Sequence, residues 1–140
     1  MNDLSSVIER VLLQVHEFFF VREMPHSIDV IGSMGPVYSL RNSDGREITR
    51  DTFGCLLGDA PIPERWNDDT IEALLRRYPS AKERLQAENF WVDDERDVES
   101  YISFLGQLQT IHDSGTRAKL TLGMKVMFRQ QGVKWPTTTK

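Results

Sequence analysis

The chain has 140 residues, of which 39% are hydrophobic and 27% charged, with a formal net charge of −4. Those values fit one hydrophobic core, expected over residues 1–136 with a frayed 137–140 tail, and exclude a disordered chain. The apolar run Phe18–Val21 is far too short for a membrane span of roughly 20 residues, and the lone Cys55 excludes an internal disulfide.

Asp3 and Glu9 stand where a signal peptide carries positive charge, so a reducing, cytoplasmic setting is expected. Residues 3–22 read as a helix. Leu4, Ile8, Val11, Val15, Phe18 and Phe19 recur at three- and four-residue steps, and Leu12, Leu13, Phe20 and Val21 widen the stripe. Asn2 or Asp3 caps its start, Ser6 and Glu9 match a capping box one turn later, and Pro25 ends it.

The period then changes. Residues 27–31, 37–41 and 46–50 are short β-leaning pieces, separated by Gly32, Gly35 and Pro36 and then by Asn42-Ser43-Asp44-Gly45. They predict a three-stranded antiparallel meander in which Gly45 supplies the positive φ of the second hairpin loop. Asp51 starts a short helical piece through Phe53, Leu56 and Leu57, closed by Gly58.

Beyond the proline-containing 60–64 loop, helical patterns return. Asn67-Asp68-Asp69 caps a helix carrying Ile71, Leu74 and Leu75, which must stop near Tyr78 because Pro79 follows. Ser80 and Glu83 match a capping box for a helix through Leu85 and Phe90. Asp93 or Asp94 caps a longer helix with the stripe Val98, Tyr101, Ile102, Leu105, Leu108 and His112. Residues 117–131 fit two patterns. Leu120, Leu122, Met124, Val126 and Phe128 alternate as a strand would, whereas a helix puts Leu120, Met124 and Met127 on the core and ends at Gly132. The helix is preferred for its length. The fold class expected is therefore α+β: a long N-terminal helix, a small three-stranded antiparallel sheet, then a helical C-terminal half.

Charge divides this chain more sharply than its net value suggests. No acidic residue follows Asp113, while Arg117, Lys119, Lys125, Arg129, Lys134 and Lys140 give the 114–140 stretch six positive charges. The preceding part holds the other 11 Lys and Arg and all 21 Asp and Glu, a balance of −10. Such a basic end either neutralises the acidic body or offers a second surface to an anionic partner.

Catalytic and cofactor signatures are weak. His16, His26 and His112 lack partners at metal-ligand spacing, and Glu17 and Asp113 adjoin theirs one residue away, where helical side chains diverge. These histidines are expected at the surface or half buried, with no metal and no cofactor. Cys55 reads as a small core residue, though Arg50 and a helix start lie close enough to consider a reactive thiol. The Asp93-Asp94-Glu95-Arg96-Asp97 run lacks the glycine of a calcium loop and suits a helix start. Gly32-Ser33-Met34-Gly35 lacks the Gly-Lys-Ser/Thr ending of a phosphate loop. Trp66 and Trp91 read as gap fillers, and Trp135, with few apolar neighbours in sequence, as an interface anchor.

The reading that follows is a small non-enzymatic binding protein, a regulator or inhibitor whose acidic body meets a basic protein target. The alternative is a nucleic-acid binder using the basic 117–140 segment, with Arg117, Lys119, Lys125, Arg129 and Lys134 on phosphates and Trp135 stacking. An enzyme built on Cys55 and a histidine brought near it ranks third.

Overall fold

The computed structural model describes residues 2–24, 38–41, 43–113 and 116–136. Helix α1 (Leu4–His16) starts at Asp3, whose carboxylate accepts the Ser6 N–H at 2.8 Å. It buries Val7, Ile8, Val11, Leu12, Val15 and His16, then widens into a π-helical turn over Glu17–Val21. There the Arg22 N–H reaches back to the Glu17 carbonyl at 2.8 Å. The turn carries Phe18 and Phe19 into the core. Leu13 and Val21 stay exposed, so the apolar stripe is narrower than its composition suggests.

Two strands are described, β1 (Ser39–Arg41) and β2 (Glu47–Arg50). They pair antiparallel with Ser39 opposite Arg50 and Leu40 opposite Thr49, and an irregularity follows Leu40. Gly45 takes the expected positive φ between them. The strand expected over 27–31 and the 32–35 connection lie outside the described residues, so the sheet described is a two-stranded hairpin. After β2, Asp51 accepts the N–H groups of Phe53 and Gly54 and starts a 3-10 turn over Gly54–Leu56, and a second 3-10 turn covers Glu64–Asp68.

Four more helices follow: α2 (Ile71–Arg77), α3 (Pro79–Ala87), α4 (Val98–Asp113) and α5 (Arg117–Gln130). Their caps correct the sequence reading in places. Thr70 caps α2 through the Ala73 N–H at 3.2 Å, while Asn67 is drawn aside to bond Tyr38 and Ser39 of the hairpin. Pro79 opens α3 at its first position, so Ser80 lies inside the helix and caps nothing. Asp94 caps a 3-10 turn, Glu95–Asp97, that feeds α4, and Asp93 pairs with the backbone of Asn2.

Residues 117–130 are helical. Leu120, Met124, Met127 and Phe128 are buried, and Thr116 caps the start through the Lys119 N–H. At the far end Gly132 sits at φ +69°, with its N–H on Arg129 and the Val133 N–H on Phe128 at 2.9 Å. Both bonds belong to the glycine-terminated cap that satisfies last-turn carbonyls. Helix α5 lies close on α4 because Gly123 has no side chain; a Cβ there would overlap Ile111. The core drawn from these elements is one cluster.

The connection between β2 and α2 carries little regular structure, so its carbonyls need other donors. Arg50 and Arg84 supply them. The Arg50 guanidinium donates to the Gly54, Gly58 and Ala60 carbonyls and to Glu47 at 2.7 Å. Arg84, from α3, donates to Leu57 at 2.8 Å, to Ala60 at 2.5 Å and to Pro61 at 2.9 Å. Arg50 is 7% exposed. Replacing it by Met strands these acceptors and is expected to cost about 3 kcal/mol or more in urea unfolding. Arg50→Lys should recover little, because an ammonium cannot span the same fork of acceptors. A fully stable Met variant would contradict this role.

Candidate functional site

A groove of about 920 Å³ runs between α2 and α4. Ile71, Val98 and Ile102 give it apolar surface, and Glu72, Glu95, Glu99 and Asp113 give it charge. No Lys, Arg or His is among its described lining residues. The α4 side follows from helical spacing, since positions 99, 102, 106, 109 and 113 fall on one face. From Val98 to Asp113 that face is roughly 22 Å long at the usual helical rise. Glu72 shares an exposed ion pair with Arg76 at 2.7 Å, a weak contact in water. Glu95 and Glu99 are exposed and form no ion pair among the described residues.

At one end the groove meets a buried polar cluster. The Asp113 carboxylate lies 3.0 Å from Nδ1 of His112 and accepts from the Gln109 amide at 3.3 Å. The Thr52 hydroxyl donates to the other side of that amide at 3.3 Å. Asp51 is fully enclosed, and burial lifts its carboxyl to about 6, an effect that His112 partly offsets. Tyr38 donates its hydroxyl to the Asp69 carbonyl, and burial followed by the Asp51 charge raises its pKa. Only Tyr38, Gln109 and Asp113 of this set line the groove. His112 is 1% exposed and borders the groove through its contact with Asp113.

The histidines are thus more buried than expected. His16 is enclosed too, and burial lowers its pKa, with Glu17 pulling the other way. His26 lies outside the described residues. The His112–Asp113 contact was missed because neighbours on a helix usually diverge; here Asp113 is the last residue of α4. Cys55 is buried, donates its thiol to the Thr52 carbonyl at 3.4 Å, and has its pKa pushed far up by burial and Asp51. A thiol in that state is a poor nucleophile at neutral pH. Among the described residues no group of three His, Cys, Asp or Glu is placed to hold a metal, and no helix is long and apolar enough to cross a membrane.

The basic end divides into two sets. Arg117 is committed to the fold: its guanidinium donates to the Phe19 carbonyl and to Met24 at 3.1 Å, and it lies over the Phe20 ring. Trp135 is half buried, against His16 at 4.7 Å, Phe128 at 4.9 Å and Phe20 at 5.3 Å between ring centroids. Its neighbours come from α1, the π-helical turn after it and α5, which is why local sequence suggested none. Lys119, Lys125, Arg129 and Lys134 are exposed, and none pairs with a carboxylate among the described residues. Lys125 rests over the Trp135 ring at 5.5 Å. Between these cations Leu122 is 67% and Val126 52% exposed. Helical spacing sets Lys125 and Arg129 on one side of the pair and Lys119 on the other.

Comparison with family models, with curated proteins and with solved structures finds no match. The groove and the α5 face therefore stand on geometry alone.

The Asp51 carboxyl makes one pH prediction. Its ordinary pKa is 3.8 and its folded value about 6, so between those limits the folded chain holds a proton that the unfolded chain has lost. This group's contribution is therefore favourable at low pH and is lost as pH rises through 6. Asp51→Asn keeps an oxygen for the Phe53 and Gly54 N–H groups while removing the charge. In urea unfolding the variant should gain on the native chain from pH 4 to pH 7. A difference independent of pH would refute the assignment.

Proposed function

We propose that this chain is a non-enzymatic protein-binding module, a regulator or inhibitor whose acidic groove takes up a basic amphipathic segment of its partner. The carrying observation is the joint lining of one groove by Ile71, Val98 and Ile102 and by Glu72, Glu95, Glu99 and Asp113, without a basic side chain among the described lining residues. Apolar side chains of a partner helix suit the floor, and its lysines or arginines suit the rim. Long-range attraction raises the encounter rate, and the apolar contact slows release. A cytoplasmic setting accords with the single buried cysteine.

Nucleic-acid binding is the second reading, favoured by the exposed Lys119, Lys125, Arg129 and Lys134, none of which pairs with a carboxylate among the described residues. It has fewer resources than the sequence suggested. Arg117 already serves backbone carbonyls and Trp135 stacks within the protein, so a phosphate contact and a base platform are both withdrawn.

Fluorescence anisotropy with a labelled Lys/Leu amphipathic helical peptide separates the two. Binding is expected at low salt, weakening as salt rises, and Glu95→Lys with Glu99→Lys should reduce affinity about tenfold or more. Both positions are exposed, and far-UV circular dichroism checks that the variant keeps its helices. If the peptide does not bind while single-stranded DNA is retarded and Lys125→Glu with Arg129→Glu abolishes that shift, the groove reading fails.

A further inference from the structure

We propose that the partner segment is α5 of a second copy of this chain, laid by its outward face into the acidic groove. The proposal rests on the groove reading above and identifies its occupant. The two surfaces match in three respects. The α5 face presents Leu122 and Val126 as exposed apolar side chains, and the groove offers the partly exposed Val98 and Ile102, with the edge of the buried Ile71 from α2. Lys119, Lys125 and Arg129 border that apolar pair, while Glu95, Glu99 and Asp113 border the groove. In length, the stretch from Ala118 to Arg129 spans roughly 16 Å, within the roughly 22 Å of the α4 face.

One molecule cannot bring these surfaces together. Helix α5 meets α4 through Gly123 and Ile111. Ile111 lies nine residues, two and a half helical turns, beyond Ile102, and so faces the opposite side of α4 from the groove. Complementarity of this kind is satisfied between copies. Reciprocal insertion closes a dimer with two such contacts, and one-way insertion extends a chain. Lone exposed apolar residues need no explanation, but a pair at helical spacing, framed by three cations that pair with no carboxylate among the described residues, is a ready-made counterpart of the groove.

Sedimentation of the full chain over a range of concentrations tests this. Association should rise with concentration, fall at high salt, and be competed by the basic peptide. Glu95→Lys with Glu99→Lys cancels the groove's net negative charge and leaves α5 basic, while Lys125→Glu with Arg129→Glu makes the α5 face acidic and leaves the groove acidic. Each alone should be monomeric. Their equimolar mixture should associate, because the unchanged basic α5 face of the first variant meets the unchanged acidic groove of the second. All four positions are exposed, and far-UV circular dichroism checks that each variant is folded. A native chain that stays monomeric while binding the peptide overturns self-association and leaves the groove reading intact. Failure of both peptide binding and association removes both. Association that neither variant disturbs, or a mixture that remains monomeric, also overturns the proposal.

Discussion

Arginine side chains bonded to backbone carbonyls hold this fold together where regular structure is sparse. The described sheet is one short hairpin, and the connections around it expose many carbonyls that no ladder serves. Arg50 and Arg84 converge on the 54–61 loop from a strand and a helix, and share the Ala60 carbonyl. Arg41 joins Gly45 to Ile62, and Arg10 reaches the Asn89 carbonyl beyond α3. Arg117 does the same for the π-helical turn at the end of α1. A guanidinium suits this work because its five donors lie in a fixed plane and its charge is retained when partly buried. Crowding has an electrostatic cost: burial, and then the proximity of Arg50, lowers the Arg84 pKa.

These clamps explain which parts of the molecule were legible in the sequence. Local chemistry was legible. Asp3 before the α1 stripe, Pro79 after α2, Gly45 in the hairpin and Gly132 after α5 each act through groups a few residues away. The helix at 117–130 was also readable, because Leu120, Met124 and Met127 keep helical spacing through an alternation that mimics a strand. Long-range commitments were not. Arg117 and Lys119 look alike as sequence, yet one is bonded to carbonyls more than 90 positions away and the other faces solvent. Asn67 looked like a helix cap until the hairpin claimed it, and Trp135 looked unpartnered until α1 and α5 surrounded it.

The groove was half visible by the same logic. Val98 and Ile102 fall within the apolar stripe assigned to α4, and a sequence stripe reads naturally as core. In the structure Tyr101, Leu105, Leu108 and His112 are buried, whereas Val98 and Ile102 turn toward the groove. A stripe wider than one packing face leaves apolar surface over, and here the excess is bordered by glutamates. The buried Asp51 and His112, with the half-buried Asp113 beside them, have no sequence signature, since they join the end of β2 to the last turn of α4. At the groove's end Gln109 ties Thr52 to Asp113.

Charge segregation acquires a physical meaning once these placements are combined. The acidic body does not neutralise the basic end by direct ion pairs among the described residues; the paired arginines sit on acids of their own neighbourhood, as Arg76 does on Glu72 and Arg96 on Asp94. Apart from Arg117, the cations of α5 are left facing water on one side of the molecule, and the groove carboxylates on another. Keeping like charges on one helix face costs repulsion that scattering them would relieve. That cost is offset when an oppositely charged surface covers the face, and the exposed Leu122 and Val126 add an apolar contribution to the same event. Solvation alone accounts for the cations, but it gives the two apolar side chains between them no favourable role. The proposed association would do both.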